Sequence, residues 1–236
     1  METLVGAARF AATVVISLFF AALELLTMPF HHGGFLFHAI ARTWAHTVLF
    51  VCGVKVQTVG LRNADFTSNY VYVSNHASMF DIPAIIAGIP DQIRIVYKKE
   101  LEVIPLFGWG LKWGSYIGID RGRRTDAVRS LEEAAEKIRN GASVLLYAEG
   151  TRTLDGKLQP FKRGAFNLAV KAGVPVVPLI VNGSFHILRK RSIVIRPGRI
   201  TLTLERPIAI NGRGKEVEMK LMEDVHAAIA KHYLNQ

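Results

Sequence analysis

Residues 70–87 read Tyr-Val-Tyr-Val-Ser-Asn-His-Ala-Ser-Met-Phe-Asp-Ile-Pro-Ala-Ile-Ile-Ala. The first five, Tyr70–Ser74, are mostly β-branched or aromatic and predict a strand. The apolar stretch Met79–Ala87 predicts a helix, and the polar residues between the two predict a tight turn. A strand that leads through a short turn into a helix is the repeating unit of α/β folds.

The same alternation of short apolar runs and amphipathic stretches continues on both sides of this junction. It predicts an α/β fold with a mostly parallel sheet flanked by helices, because parallel strands are joined by helical crossovers. We find no internal repeat and no linker in residues 54–236, so this region is predicted to be one α/β domain. The predicted strands are Val54–Val59, Tyr70–Ser74, Ile93–Tyr97, Ser115–Ile119, Ser143–Ala148, Val174–Val181 and Gly198–Glu205, and the predicted helices are Met79–Ala87, Thr125–Asn140, Gly164–Ala172 and Lys215–Lys231.

Residues 1–53 differ from the rest of the chain because they are apolar and almost uncharged. The run Phe10–Leu23 has no charged residue, a turn follows at Met28–Gly34, and a second apolar stretch covers Phe35–Val54. As a helix, the first run is about 21 Å long, which is short of the hydrocarbon core of a bilayer. We therefore predict a membrane-associated helical hairpin over residues 1–53 that lies in, or dips into, one leaflet. A spanning pair, a signal peptide and a soluble helix pair are the alternatives.

Composition and charge restrict the possible functions. The 236 residues include 29 Lys and Arg against 19 Asp and Glu, and the formal charge of +10 predicts attraction to anionic lipid, nucleic acid or a phosphorylated substrate. A single cysteine, Cys52, excludes a disulfide framework and a Cys-based zinc site. The chain has no G-x-G-x-x-G, P-loop, G-x-S-x-G or H-E-x-x-H motif, so dinucleotide redox, nucleotide hydrolysis and serine-hydrolase chemistry are not supported.

The turn after Tyr70–Ser74 contains a histidine and an aspartate five residues apart. On a regular helix, His76 and Asp81 would point in different directions, but a turn can fold the imidazole back over the first helical turn. The carboxylate would then bond one ring nitrogen and leave the other free as a general base. The alternative is local structure, in which Asn75 or Ser78 caps the helix, Asp81 favours its positive end and His76 only packs.

Further polar residues follow other predicted strands. Glu149-Gly-Thr-Arg152 comes directly after an apolar strand, where a glycine lets the backbone approach a ligand and an arginine offers two parallel donors to phosphate. Lys98 and Arg121 each leave another predicted strand. Because the carboxyl ends of parallel strands meet at one edge of a sheet, we expect these cations to face one crevice. The alternative for residues 149–152 is a solvated polar turn.

Four of these segments together resemble the glycerolipid acyltransferase family, and within it the 1-acylglycerol-3-phosphate acyltransferases. The similarity covers about residues 54–205. It implies that His76 and Asp81 are the catalytic dyad and that a second group of residues binds the acyl acceptor. The similar segments are Asn-His-x-x-x-x-Asp at 75–81, Lys-Lys-Glu-Leu and Ile-Asp-Arg within 98–121, Glu-Gly-Thr-Arg at 149–152 and Val-Pro-Val-Val-Pro at 174–178. The implied acceptor-site residues are Lys98, Arg121, Glu149, Gly150, Thr151 and Arg152.

The resemblance implies transfer of a fatty acyl group to the sn-2 hydroxyl of lysophosphatidic acid, which gives phosphatidic acid. The donor is expected to be an acyl-coenzyme A or acyl-carrier-protein thioester, with no metal and no cofactor. The expected partners are these substrates and the lipid bilayer, not nucleic acid, and the expected location is the cytoplasmic face of a membrane (the inner membrane if the source is bacterial). Another lysolipid acceptor and a membrane lipid hydrolase, in which His76 activates water, are the alternatives.

Overall fold

The computed structural model describes residues 1–30, 34–114, 116–120 and 124–235, with the backbone alone for residues 124–128. The strands in this part are β1 (Val54–Val59), β2 (Val71–Ser74), β3 (Arg94–Lys98), β4 (Ile117–Ile119), β5 (Val144–Tyr147), β6 (Val176–Asn182) and β7 (Gly198–Leu204). The helices are α1 (Glu2–Thr27), α2 (Phe35–Cys52), α3 (Asp81–Gly88), α4 (Phe107–Trp113), α5 (Arg124–Arg139), α6 (Arg163–Ala172), α7 (Ser184–Ile187) and α8 (Lys215–His232). Short 3₁₀ helices occupy Met28–Phe30, Leu61–Asn63 and Lys99–Val103.

These strands form one sheet in the order β1-β7-β6-β2-β5-β3-β4. The five strands from β6 to β4 run parallel, whereas β7 pairs antiparallel with β6 and β1 pairs parallel with β7. The predicted α/β class with a mostly parallel sheet is confirmed. The reversal at β7 has a local cause, since the segment between β6 and β7 holds only the four-residue helix α7 and no helical crossover.

The strand β2, which precedes the histidine-containing turn, lies in the middle of the sheet. It pairs with β5 on one side and β6 on the other, and all four of its residues are buried. One hydrophobic cluster fills the face covered by α2 and α3, and a second fills the face covered by α5, α6 and α8. Because both faces are covered, the end of β2 is a rigid point from which to hold functional side chains.

The N-terminal segment forms the predicted pair of apolar helices. Two segments, Glu2–Phe30 and Phe35–Cys52, are long and apolar enough to cross a membrane, although buried core helices and signal sequences share that length and composition. The helix α2 also belongs to the core, since Val48, Leu49 and Cys52 are buried in the same cluster as α3. The hydrophobic core therefore extends across the boundary that the sequence predicts between residues 53 and 54.

Within residues 54–236, three of the described helices differ from the sequence prediction by more than one residue: α3, α4 and the short α7. The helix α3 begins at Asp81, two residues after the predicted start, because the Ser78 hydroxyl accepts the Phe80 amide at 3.2 Å and holds residues 78–80 in a turn. The helix α4 was not predicted, since two glycines in its seven residues oppose helix formation. A Cβ atom at Gly110 would lie 3.9 Å from Ala21 of α1, so packing between distant segments stabilises this helix.

Candidate active site

The predicted site residues that the structure describes lie at the edge of the sheet where the five parallel strands end. The turn after β2 carries His76 and Asp81, and the loop after β5 carries Glu149 and Arg152. Because β2 and β5 are hydrogen-bonded neighbours, with Ser74 level with Tyr147, the two loops leave the sheet side by side. The sheet topology thus brings together residues that are more than 70 positions apart in the sequence.

The turn after β2 is built around the carboxylate of Asp81. Asp81 is fully buried, and its Oδ2 atom accepts the backbone amides of Ala77 at 2.9 Å and Ser78 at 3.0 Å. The same oxygen lies 2.7 Å from Nδ1 of His76. The folding back of the turn that the spacing predicts is therefore present, and His76 and Asp81 form a pair. No described side chain caps α3; the Ser78 hydroxyl accepts the Phe80 amide within the turn.

The imidazole of His76 is held from two sides. Its ring stacks on the ring of Tyr147, with centroids 3.8 Å apart and planes 14° from parallel, while Asp81 bonds Nδ1. A carboxylate accepts hydrogen bonds only, so the proton lies on Nδ1 and the Nε2 lone pair is free. The side chain is 14% exposed, and Nε2 has no partner within the described residues. The arrangement can therefore remove a proton from a ligand at the surface.

The backbone of His76 is fixed by the neighbouring loop. Its amide donates to Oε1 of Glu149 at 2.6 Å, and its carbonyl accepts the amide of Thr153 at 2.9 Å. The second oxygen of Glu149, Oε2, accepts the amide of Gln159 at 3.0 Å. Glu149 is only 2% exposed, so its carboxylate connects backbone segments and does not face solvent. Burial raises the pKa of Glu149 to about 7, against the opposing effect of the two amides.

We expect Glu149→Gln to destabilise the protein by about 1–3 kcal/mol, because the new NH₂ group leaves one buried backbone amide without an acceptor. The folded protein binds the Glu149 proton more tightly than the unfolded chain does, since the pKa rises from 4.5 to about 7. That contribution to stability is present below pH 4.5 and is lost as the pH rises to about 7. Urea unfolding of both proteins at pH 5 and pH 8 should show the larger gap at pH 5.

The matched control for this substitution is Glu136→Gln on the exposed side of α5, which should leave the free energy of unfolding within about 0.5 kcal/mol of the unmodified protein. An advantage of the unmodified protein that grows from pH 5 to pH 8 would contradict the assignment of a raised pKa to Glu149.

A cluster of cations surrounds the loop after β5. Arg152 is half-buried; burial lowers the pKa of its guanidinium, and the negative charge of Asp81 acts in the opposite direction. The Arg152 side chain is therefore within electrostatic reach of the dyad. The ammonium group of Lys190 donates to the Thr151 hydroxyl at 3.0 Å and to the Arg152 carbonyl at 2.9 Å. Lys190 lies in the basic run Arg189-Lys-Arg191, which sequence spacing alone does not connect with this loop.

The other predicted acceptor residues occupy different positions. Gly150 has a φ of +71°, and a Cβ atom there would lie 3.0 Å from the side chain of Lys162, so this turn requires glycine. Lys98 is exposed at the carboxyl end of β3, beyond β5 from the dyad. Arg121 lies outside the described residues. The structure thus brings Gly150, Thr151 and Arg152 beside the dyad and puts Lys98 farther along the same edge.

Backbone amides in the turn at Ala77–Met79 would be natural donors to the oxyanion that forms in acyl transfer. Those of Ala77 and Ser78 instead donate to Asp81. Among these three residues, only the amide of Met79 has no partner in the part of the chain that is described. The amides at 77 and 78 orient the dyad and are not available to a substrate.

Known proteins are similar to this chain in sequence and in fold. A family model described as Acyltransferase matches residues 55–182. The chloroplastic 1-acyl-sn-glycerol-3-phosphate acyltransferase BAT2 of Brassica napus is 34% identical over 173 residues, which are 72% of this chain and 50% of that protein. The 1-acyl-sn-glycerol-3-phosphate acyltransferase alpha of Mus musculus is 32% identical over 166 residues, which are 69% of this chain and 58% of that protein.

A solved structure extends the similarity to nearly the whole chain. The crystal structure of the 1-acyl-sn-glycerophosphate (LPA) acyltransferase PlsC from Thermotoga maritima matches with a TM-score of 0.80 at 25% identity, covering 98% of this chain and 95% of that one. This chain spans about half the length of the curated relatives it matches. The family model runs from β1 to the end of β6 and includes the dyad and the loop after β5. The chain therefore belongs to the acyltransferase family.

Proposed function

We propose that this protein transfers a fatty acyl group from a thioester donor to the sn-2 hydroxyl of lysophosphatidic acid, giving phosphatidic acid. The observation that carries the proposal is the His76–Asp81 pair, in which Nδ1 and Oδ2 lie 2.7 Å apart, within electrostatic reach of Arg152. The curated relatives are named for acyl transfer to a phosphorylated glycerolipid, which supports the same reaction here.

The proposed chemistry uses one imidazole as base and then as acid. Nε2 of His76 takes the proton of the acceptor hydroxyl as its oxygen attacks the thioester carbonyl. The carbon–sulfur bond then breaks, and the imidazolium returns its proton to the departing thiolate. The carboxylate of Asp81 stabilises the imidazolium that forms between these two steps. Since the proton that is removed is also the proton that is returned, neither metal nor cofactor is required for the balance of the reaction.

The acceptor phosphate would bind to the cations at the same edge of the sheet. Arg152 offers a planar pair of donors that match a phosphate, and Lys190 keeps a third N–H after its bonds to Thr151 and to the Arg152 carbonyl. Lys98 and Arg121 are assigned to the phosphate by family resemblance. For Glu149 we propose a positioning role through the His76 backbone, because its buried carboxylate already accepts two amides.

The proposed reaction also needs an acyl donor and access to a membrane lipid. An acyl-coenzyme A and an acyl-carrier protein both present anionic groups, and the formal charge of +10 suits either. The helices α1 and α2 would hold the enzyme on the cytoplasmic face of a membrane, where its lysolipid acceptor lies.

The direct test is to incubate the purified protein with a labelled acyl thioester and a panel of lysolipids, and to identify the product. Acylated lysophosphatidic acid with release of a free thiol would support the proposal. Release of labelled free fatty acid without an acylated lipid would overturn it in favour of a hydrolase. Acylation of a lysolipid without a phosphomonoester, in preference to lysophosphatidic acid, would overturn the choice of acceptor.

We expect Arg152→Ala to raise the KM for lysophosphatidic acid by about 10- to 100-fold, with a smaller effect on kcat. The physical reason is the loss of a charge-assisted hydrogen bond to phosphate, which is worth about 1.5–3 kcal/mol. Initial rates against acceptor concentration measure both constants. Arg129→Ala, which removes an exposed arginine on α5, is the matched control and should leave KM unchanged. An equal loss with a monoacylglycerol acceptor would argue against contact with phosphate.

A further inference from the structure

The chain between β3 and β4 exposes a group of large apolar side chains. We call these side chains the 103–113 surface. Val103 is 81% exposed, Trp113 is 50% exposed and Trp109 is 41% exposed. Soluble proteins rarely leave such a dense group of apolar side chains in contact with water unless it binds something. The members of the surface are Val103, Ile104, Phe107, Trp109 and Trp113.

The backbone of this segment is folded so that the aromatic side chains face outward. Gly108 and Gly110 form the buried side of α4, and a Cβ atom at Gly108 would lie 2.3 Å from the carbonyl oxygen of Leu101. Just before the helix, Leu106 has a φ of +61° and the Phe107 amide donates to the Pro105 carbonyl at 2.7 Å. This is a strained three-residue turn, and such strain persists only where the surrounding contacts enforce it.

The 103–113 surface lies next to α1, which also exposes apolar side chains. Gly110 lies against Ala21 and Glu24 of α1, which joins the two helices directly. On α1, Phe19 is 62% exposed and Leu26 is 75% exposed, on the side of the helix turned away from this contact. Apolar side chains are therefore exposed on both of these packed helices.

Residue types at the border of the 103–113 surface favour a lipid headgroup region as its partner. Tryptophan is enriched where bilayers meet water, because its ring is apolar and its N–H needs a polar partner. The exposed lysines Lys98, Lys99 and Lys112 border the surface and outnumber the two acids of the segment, Glu100 and Glu102. Such lysines are attracted to anionic headgroups while the aromatic rings enter the boundary with the acyl chains.

We infer that the 103–113 surface docks on the lipid bilayer beside α1, as a contact additional to that of the N-terminal hairpin. An effect of this contact on the acylation of membrane-bound lysolipid rests on the proposed function, whereas the docking itself does not.

The test measures quenching of tryptophan fluorescence by lipids brominated at different depths. The chain has three tryptophans, and Trp44 is held between the hairpin helices by a bond of its Nε1 to the Ser17 hydroxyl at 3.0 Å. In a Trp44→Phe background, the signal therefore reports Trp109 and Trp113. With phosphatidylglycerol-containing vesicles we expect strong quenching by bromines near the headgroups and weak quenching by bromines near the bilayer centre.

Variants measure the contribution of the surface to binding. Removal of either tryptophan, as Trp109→Ala or Trp113→Ala, should weaken vesicle partitioning by about tenfold. Met219→Ala is the matched control, since Met219 is 42% exposed on α8 at the opposite face of the sheet, and partitioning should not change. Vesicle-bound protein in which Trp109 and Trp113 are not quenched would overturn the inference. Self-association of the lipid-free protein through these two residues, detected by analytical ultracentrifugation and lost in the variants, would also overturn it.

Activity separates this inference from the proposed function. With a short-chain lysophosphatidic acid below its critical micelle concentration, Trp109→Ala and Trp113→Ala should keep the kcat of the unmodified protein, and with vesicle-bound acceptor their rates should fall about tenfold. Equal losses with both forms of acceptor would overturn the inference. If the unmodified protein shows depth-dependent quenching but no acyl transfer, the proposed function fails while the docking surface is retained.

Discussion

His76→Ala should lower kcat by about 1,000-fold while leaving the fold intact, because general acid–base catalysis by one side chain is worth about 10²–10⁴-fold. In the proposed reaction, the same Nε2 atom removes the proton of the acceptor and returns it to the leaving thiolate, so both steps lose their catalyst. After the substitution, Asp81 still accepts the amides of Ala77 and Ser78, and the turn keeps its internal bonds. The measurements are single-turnover rates of acyl transfer and urea unfolding curves.

The matched control for this prediction is His226→Ala. His226 is exposed on α8 and packs edge-on against Phe161, on the opposite face of the sheet from α3. It should reproduce any general effect of losing an imidazole and leave kcat within about twofold of the unmodified protein. Turnover by His76→Ala close to that of the unmodified protein would remove His76 from the mechanism, and loss of cooperative unfolding would show a structural role instead.

The parts of the fold that sequence predicts well are those encoded by neighbouring residues. The strand predicted at Val54–Val59 has the same bounds in the structure, and the predicted strand at Gly198–Glu205 differs by one residue. Alternating β-branched runs and turn residues specify such elements locally. The helix α4 could not be predicted in this way, because its glycines are unfavourable for a helix and contacts with α1 stabilise it across the chain.

In the candidate site, too, contacts within one turn could be predicted from the sequence, and contacts between distant segments could not. The pairing of His76 with Asp81 depends on a turn of six residues, so its spacing was sufficient to propose it. The hydrogen bond of Glu149 depends on β5 lying beside β2. This pairing brings its carboxylate to the backbone amide of His76, which is 73 residues away in the sequence. The role of Lys190 likewise depends on a long-range contact with Thr151. Sequence spacing carries no information about either contact, so these residues were assigned by resemblance or missed.

Asp81→Asn should lower kcat by about 100- to 1,000-fold with little loss of stability, because it removes charge while keeping the shape of the turn. The amides of Ala77 and Ser78 both point at Oδ2, so the amide oxygen of asparagine must occupy that position. The oxygen then still accepts from Nδ1 of His76, and the ring keeps its orientation and tautomer. What is lost is the negative charge that stabilises the imidazolium during proton transfer. Rapid-quench measurement of acyl transfer gives the rate of this step.

Asp81→Ala is the comparison that separates charge from position. It removes the acceptor of two buried backbone amides, so the free energy of unfolding should fall by about 2–4 kcal/mol, and the imidazole loses its orientation as well. We therefore expect Asp81→Ala to be less active than Asp81→Asn, and the difference in rate between the two variants measures the value of holding the ring in place. Equal activity in the two variants would mean that the carboxylate acts only through its charge. If the Asp81→Asn variant is as active as the unmodified protein, Asp81 has no role in the proton transfer.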